Sequence, residues 1–167
     1  RATNYVLEVN GAFQKEADCF AIQLNNTGKS GAVFTVYANG HNAGPWYYTI
    51  GSEKNFTETW SLDDFASRRY ALRVFGPNGF LREFQGEQRH QVDAQIQTLD
   101  SNSRVADQSP VLKLTLSNAS DQTQALLVTD TFYGAPEQSI QLAPFSSQTL
   151  YFNQENSLGW YDIQVRL

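Results

Sequence analysis

Apolar and polar residues alternate with a period of two along most of this chain. The alternation is clearest in residues 5–9, 20–24 and 112–116, and segments such as VFTVYA, YALRVF, ALLVTDTF and WYDIQV are rich in β-branched and aromatic residues. Short runs of this kind, separated by Asn, Gly, Ser and Pro about every eight to twelve residues, indicate β-strands. Only LDDFASRR, residues 62–69, suits a helical turn, with Ser61 or Asp63 as its cap. The pattern therefore predicts an all-β protein of antiparallel β-sandwich type.

The second half of the chain repeats the pattern of the first half. CFAIQLNNTGKSGAVFTVYANG, from Cys19, corresponds to LKLTLSNASDQTQALLVTDTFYG, from Leu112, and a proline follows each segment, Pro45 and Pro136. Corresponding residues of the two halves lie about 91 or 92 positions apart throughout, as expected for a structural repeat. We therefore predict two tandem immunoglobulin-like β-sandwich domains, residues 1–88 and 89–167, with the boundary near residues 87–92.

The two repeats differ at their ends. RRYALRV in the first repeat corresponds to GWYDIQV in the second, but the second repeat stops at Leu167 where the first continues into Gly-Pro-Asn-Gly-Phe. The second sandwich therefore either lacks a final strand or was trimmed at this point. An unpaired sheet edge would be a liability for the fold.

Composition and charge exclude several classes of protein. The net charge is −5, the pI is about 4.9, and the cations are scattered apart from Arg68 and Arg69. The chain therefore lacks the basic stripe that a nucleic-acid partner requires, and it has no apolar run of about 20 residues that would span a membrane. The absence of methionine and the start at Arg1 predict a fragment or a processed chain. Cys19, the only cysteine, cannot form an internal disulfide and is predicted to be a small buried residue.

Residues suited to hydrolytic chemistry do not converge in the sequence. Phosphoester hydrolysis needs an activated nucleophile or a metal-bound water. The two histidines, His41 in a loop and His90 near the boundary, are interpreted as ordinary surface residues. Asp63 and Asp64 resemble half of a calcium site, but few further oxygen ligands lie nearby, so a cap or solvated turn is the simpler interpretation. We predict no catalytic residue, no metal and no cofactor in this chain.

Two aromatic segments are candidate contact sites. HNAGPWYYT places Trp46, Tyr47 and Tyr48 together, and TFYGAPE places Phe132 and Tyr133 at the matching position of the second repeat. Strand alternation allows at most half of the first three residues to face the core. Aromatic faces bind quaternary ammonium groups, and Trp and Tyr suit the membrane interface. These five residues are therefore candidate lipid contacts, although packing at the end of a sandwich or against another domain is the simpler interpretation.

Residues 70–86, YALRVFGPNGFLREFQG, form the most specific motif in the chain. Proline presets φ and Asn or Gly tolerates a positive φ, so the Gly-Pro-Asn-Gly segment predicts a hairpin turn. Phe80, Arg82 and Phe84 then share one face of the following strand, and Leu81 and Glu83 share the other. Most of this motif is therefore predicted to be structural.

This motif resembles the signature of the C-terminal domain of bacterial phospholipases C. These are secreted, phosphocholine-preferring enzymes of the acid-phosphatase-like superfamily, whose pattern is Tyr-Asp-Leu-x-Val-x-Gly-Pro-Asn-Gly-Phe-x-Arg-x-Phe-x-Gly. The matching residues are Tyr70, Leu72, Val74, Gly76, Pro77, Asn78, Gly79, Phe80, Arg82, Phe84 and Gly86. Ala71 stands where the family has Asp, and the second repeat restores that residue within Gly159, Trp160, Tyr161 and Asp162. We interpret both sets as structural residues of the family motif.

The resemblance implies a non-catalytic accessory region of a larger bacterial enzyme. Family members carry two copies of this module after a phosphoesterase domain, which would be a partner within the same chain. The parent enzyme would be secreted or periplasmic and would release phosphocholine from phosphatidylcholine or sphingomyelin. The region would aid recognition of phospholipid head groups or of the membrane surface, and would add stability. The alternative is a structural or protein-interaction sandwich of the adhesin or pilus-chaperone type, because sandwiches host many functions.

Overall fold

The computed structural model describes residues 4–88, 91–99, 111–154, 157 and 160–167. Within these ranges the regular structure consists of thirteen β-strands and short 3₁₀ turns, which confirms the all-β prediction. The described part contains no helix with the length and apolar character needed to cross a membrane. The chain divides into two compact units, unit 1 (Arg1–His90) and unit 2 (Gln91–Leu167). The predicted boundary between residues 88 and 89 stays a prediction, because residue 89 lies outside the described ranges.

Unit 1 is built from two antiparallel sheets. The first has the order β1-β2-β5 and comprises β1 (Leu7–Gln14), β2 (Cys19–Asn26) and β5 (Lys54–Ser61). The second has the order β4-β3-β6-β7 and comprises β3 (Ala32–Ala38), β4 (Trp46–Ile50), β6 (Arg69–Phe75) and β7 (Leu81–Glu87). Alternate residues of these strands form a shared core, in which Ile22, Phe34 and Leu72 are at most 1% exposed. The unit is therefore a β-sandwich, as the period of two predicts.

Unit 2 repeats this strand order. One sheet has the order β12-β9-β8 and comprises β8 (Val92–Leu99), β9 (Val111–Asn118) and β12 (Ser147–Asn153). The other has the order β11-β10-β13 and comprises β10 (Gln124–Asp130), β11 (Gln138–Leu142) and β13 (Ile163–Arg166). Strands β8, β9 and β12 correspond to β1, β2 and β5, and β10, β11 and β13 correspond to β3, β4 and β6. Among the described residues β13 pairs only with β10, so the absence of a final strand stays a prediction.

A buried asparagine at the end of β2 joins the turns of unit 1. Asn26 is fully buried, and its Nδ2 donates to the carbonyl oxygens of Ser30, Ile50 and Gly51 at 2.8, 3.1 and 3.2 Å. Its Oδ1 accepts a hydrogen bond from the backbone N–H of Gly28 at 3.1 Å. One side chain therefore links the β2–β3 turn to the β4–β5 turn.

Asn118 makes the same arrangement at the end of β9 in unit 2. This side chain is 3% exposed, and its Nδ2 donates to the carbonyls of Gln122, Leu142 and Ala143 at 2.8, 3.1 and 3.0 Å. Its Oδ1 accepts from the backbone N–H of Ser120 at 2.9 Å. All five residues lie about 92 positions after their counterparts in unit 1, as expected for a structural repeat.

The hairpin between β6 and β7 forms where the Gly-Pro-Asn-Gly segment predicts it. Pro77–Gly79 is a 3₁₀ turn in which Asn78 and Gly79 have φ values of 59° and 77°. Asn and Gly tolerate this left-handed region better than other residues do. The backbone N–H of Gly76 donates to the carbonyl of Phe80 at 2.9 Å and closes the turn.

The motif residues that follow the turn pack against the core of unit 1. Phe80 meets Phe34 edge to face with ring centroids 6.0 Å apart, and Phe84 lies 5.4 Å from Phe20. The guanidinium group of Arg82 lies 4.7 Å above the ring of Phe80. These contacts cover one end of the core, so in unit 1 the family motif builds the sandwich itself.

Replacing either buried asparagine with alanine tests its role in the fold. We expect Asn26→Ala and Asn118→Ala each to lower the free energy of unfolding by about 2–4 kcal/mol, because two turns lose their shared donor and the buried carbonyl of Ile50 or Leu142 is left without its hydrogen bond. Urea denaturation measures this loss. The matched control is Asn55→Ala on β5, whose exposed side chain should change stability by less than about 0.5 kcal/mol. An Asn26→Ala variant as stable as that control would contradict the assignment.

Candidate functional site

Strand β4 divides the first group of candidate contact residues between two faces. Trp46 and Tyr48 point inward, where the Trp46 ring lies 5.7 Å from Trp60 and the Tyr48 ring 5.3 Å from Phe56. Tyr47 points outward and is 68% exposed. The prediction that at most half of the three aromatics face the core is therefore wrong, because β4 begins on an inward-facing position.

Tyr48 connects the two sheets of unit 1 at their open edge. Its hydroxyl group donates a hydrogen bond to Oε2 of Glu58 on β5 at 3.2 Å. Burial, and then the negative charge and hydrogen bond of Glu58, raise the pKa of Tyr48 above its usual value. Tyr48 therefore holds β4 against β5 and is not available as a surface contact.

The His41 side chain is packed between aromatic rings and is only 10% exposed. Its ring meets Trp46 and Phe65 edge to face, at centroid distances of 5.0 and 5.1 Å. Nδ1 accepts from the backbone N–H of Ala43 at 2.9 Å, and Nε2 lies 3.9 Å from Oδ2 of Asp64. The interpretation of His41 as an ordinary surface residue is therefore wrong. An isolated loop histidine gives no sequence signal of this packing, which depends on the bridge between His41 and Phe65.

The acidic pair in the first 3₁₀ turn has structural partners. The Asp63 carboxylate pairs with Arg68, which also pairs with Asp18, and Oγ of Ser61 accepts from the backbone N–H of Asp63 at 3.2 Å. Within the described ranges, no three His, Cys, Asp or Glu side chains are grouped so as to hold a metal ion. His90 lies outside those ranges.

The second group of candidate contact residues lies on an exposed turn of unit 2. Phe132 is 80% exposed and Tyr133 is 40% exposed. The carboxylate of Asp130 accepts hydrogen bonds from the backbone N–H groups of Phe132, Tyr133 and Ala135 at 3.3, 2.9 and 3.2 Å. Gly134 supplies the positive φ of 81° that the turn needs. This network fixes the turn while both aromatic side chains face solvent.

Trp160, in the segment that precedes β13, is a further exposed aromatic residue, although the sequence motif predicted only a structural role for it. Its exposed fraction is 56%, whereas its neighbour Tyr161 packs against the core. The N–H and Oγ1 of Thr131 donate to the carbonyl of Asp162 at 2.8 and 2.9 Å, which joins the two segments. Gly159 of the same motif lies outside the described residues. We call Phe132, Tyr133 and Trp160 the aromatic tip of unit 2.

The fold and its surfaces define a β-sandwich module with exposed aromatic residues, and the comparisons with known proteins give its family. Residues 1–87 match the family model for the bacterial phospholipase C, C-terminal domain. Because the match covers more than half of the chain, the chain belongs to this family.

Two relatives match almost the whole chain. The non-hemolytic phospholipase C of Burkholderia pseudomallei (strain K96243) is 33% identical over 169 residues, which cover 99% of this chain and 23% of that protein. The non-hemolytic phospholipase C of Pseudomonas aeruginosa (strain PAO1) is 32% identical over 171 residues, or 99% of this chain and 24% of that protein. The chain therefore spans about a quarter of the length of these relatives.

Among solved structures, red sea bream transglutaminase aligns with 91% of this chain and 27% of its own. The TM-score is 0.36 and the sequence identity 12%. This likeness is too weak to inform the function of the chain.

Replacing Tyr48 with phenylalanine tests the contact between β4 and β5. At neutral pH we expect the variant to lose about 1 kcal/mol of stability with the hydrogen bond to Glu58. Above pH about 10, Tyr48 ionises in the unfolded chain. In the folded protein its hydroxyl group keeps the proton, because the pKa of Tyr48 is raised there. The wild-type free energy of unfolding should therefore fall as the pH rises past that value. The difference in free energy of unfolding between the wild type and Tyr48→Phe should become smaller. Urea denaturation across this pH range measures both.

The matched control for this experiment is Tyr47→Phe, one position along the same strand. Its ring faces solvent, so the substitution should change stability by less than about 0.5 kcal/mol. A Tyr48→Phe difference that stays constant as the pH rises would contradict the raised pKa of Tyr48.

Proposed function

We propose that this chain is a non-catalytic accessory region of a phospholipase C that acts outside the cytoplasm. The whole protein would release phosphocholine from phosphatidylcholine or sphingomyelin, with the reacting groups in an upstream phosphoesterase domain. The family match and the quarter-length coverage of two phospholipases C support this assignment. They favour it over an adhesin or pilus-chaperone sandwich.

The chemistry of the described residues agrees with an accessory role. The His41 ring is enclosed by Trp46 and Phe65, so it does not face a substrate. The Cys19 thiol is buried, and burial together with the nearby charge of Asp18 raises its pKa, which makes it a poor nucleophile. These candidate groups therefore serve packing better than catalysis.

The observation that carries the proposed role is the aromatic tip of unit 2. A side chain as exposed as Phe132 is costly in water, and its turn is held in place by Asp130. Trp and Tyr suit the region between lipid head groups and acyl chains, and their rings attract quaternary ammonium groups. The net charge of −5 disfavours anionic lipid. We therefore infer that the tip contacts a zwitterionic choline lipid surface.

Co-sedimentation with phosphatidylcholine vesicles tests this role directly. We expect the chain to bind, and the double variant Phe132→Ala, Tyr133→Ala to bind at least about tenfold more weakly, because each buried ring contributes about 1.5–3 kcal/mol. The matched control is Tyr151→Ala on β12, which removes an aromatic ring of 63% exposure from another position. This control should bind as the wild type does.

Three outcomes would count against the lipid role. They are no vesicle binding by the wild-type chain, equal binding by the double variant, and an equal loss in Tyr151→Ala. Activity of the full-length protein gives a second readout. The double variant should slow the hydrolysis of vesicle phosphatidylcholine while leaving the hydrolysis of a soluble phosphocholine ester unchanged, because the tip does not take part in the chemistry.

A further inference from the structure

The solvent-facing side of the sheet β4-β3-β6-β7 carries a row of residues that crosses all four strands and is apolar except for Thr35 on β3. Directly opposite residues of antiparallel strands share a face. The register places Tyr47 opposite Thr35, Thr35 opposite Phe75, and Phe75 opposite Leu81. Tyr47 is 68% exposed, and Phe75 and Leu81 are each 41% exposed. The row is therefore an exposed apolar surface on a rigid sheet.

Two further residues of β3 widen this row. Val33 and Tyr37 lie two positions before and after Thr35 on the same face, and both are exposed. The Tyr37 ring meets Phe75 edge to face at 5.7 Å. Contiguous apolar patches of this kind on a soluble protein mark interaction sites. The outer face of unit 1 is defined here by Val33, Thr35, Tyr37, Tyr47, Phe75 and Leu81.

The fold itself does not require this apolar surface, as the equivalent positions of unit 2 show. There the register aligns Ser139 with Leu127 and Leu127 with Arg166. Ser139 thus occupies the place of Tyr47, and Arg166 the place of Phe75. The equivalent row of unit 2 is therefore polar on β11 and β13 and apolar only at Leu127, so the sandwich forms without the exposed aromatic residues of unit 1.

The shape of the outer face suits side chains of a protein partner. Two shallow cavities of about 400 and 410 Å³ share Thr35 and Phe75 in their linings. Val33 and Pro77 are among the other residues that line the first cavity, and Tyr37 is among those that line the second. Phe75 therefore stands between two hollows, which is the arrangement in which anchor side chains of a partner bind. A fluid lipid surface has no fixed side chains to fill such hollows.

The charges on this face are already paired with one another. Nε of Arg73 lies 2.5 Å from Oε1 of Glu83, and Nε of Arg69 lies 3.1 Å from Oε2 of Glu87. Each of these cations therefore has a carboxylate beside it, which lowers the net positive charge that this face offers to phosphate groups of a membrane. Paired charges around an apolar centre are typical of the polar rim of a protein interface.

We propose that the outer face of unit 1 is the docking surface for the catalytic part of the same polypeptide. This rests on the proposed function, since the partner is the portion of the relatives that this chain does not cover, about three quarters of their length. A tethered partner is present at high effective concentration, and a preformed sheet loses little entropy on binding. A surface of modest size therefore suffices. Under this proposal, Tyr47 contacts the catalytic part of the polypeptide and not lipid.

Hydroxyl-radical footprinting of the full-length protein and of this chain, side by side, tests the proposal. Oxidation of Tyr37 and Tyr47 should be at least about fivefold slower in the full-length protein, because the centre of an interface excludes solvent. Tyr151 on unit 2 is 63% exposed and serves as the internal control, with equal rates in both proteins.

A Phe75→Ser variant shows whether protection depends on this face. When the full-length protein carries Phe75→Ser, its Tyr47 should be oxidised faster than in the full-length wild type. The rate should approach that of Tyr47 in the isolated chain carrying the same substitution. The chain itself should remain folded, as its unfolding transition shows, because the Phe75 side chain lies outside the core and contacts Tyr37 only on the outer face. The matched control, Tyr151→Ser, should leave Tyr47 protected.

Several results would overturn the docking proposal. Equal oxidation of Tyr37 and Tyr47 in both proteins would show that the face stays open. Protection that appears only with phosphatidylcholine vesicles would assign the face to lipid, and protection that depends on protein concentration would assign it to a second copy. A full-length protein that releases no phosphocholine, or a chain that binds no vesicles, would instead contradict the proposed function. Footprinting measures neither property. Failure of the docking proposal can therefore be distinguished from failure of the proposed function.

Discussion

Each unit depends on a single amide side chain buried where its two sheets are joined. Asn26 and Asn118 each donate to three backbone carbonyls from two turns that are distant in sequence. Without this donor, the buried carbonyl oxygen of Ile50 or of Leu142 would lose a hydrogen bond that water cannot readily replace. The residue two positions after the asparagine differs between the units. In unit 1 it is Gly28, which lets the backbone of Asn4 approach closely. In unit 2 it is Ser120, whose hydroxyl group joins the hydrogen-bond network. The amide is therefore the constant element of the repeat, and its surroundings vary.

Fixing these two turns also fixes which side of β4 faces the core. Because side chains alternate, a slip of one residue would expose Trp46 and Tyr48 and bury Tyr47. In the observed register, Trp46 meets Trp60 and Tyr48 reaches Glu58, so the inner side of β4 closes the edge of the sandwich. The outer side, with Tyr47, faces solvent. One short strand thus contributes to the core on one side and to the exposed outer face on the other.

Local signals predicted more of this molecule than non-local ones. The period of two predicted the strands because it is a property of short segments, and the constant offset predicted the repeat because such segments can be compared without knowing their contacts. The Gly-Pro-Asn-Gly turn was predictable for the same reason, since the φ tolerance of Asn78 is an intrinsic property. The packing of His41 and the exposure of Trp160 were not predictable, because each depends on a pairing between segments distant in sequence. Which residues of an aromatic cluster reach solvent is decided by register and not by composition.

The two repeats have used the same fold to expose aromatic residues in different places. Tyr133 of the aromatic tip lies about 92 positions after His41, the repeat offset, yet Tyr133 faces solvent while the His41 side chain is enclosed. On the outer row the difference is reversed, with Tyr47 exposed in unit 1 and Ser139 in its place in unit 2. Neither exposure is demanded by the sandwich, because the other unit folds without it. The divergence between equivalent positions therefore separates what the architecture requires from what it does not, and it agrees with the proposal of one surface for lipid and another for the rest of the polypeptide.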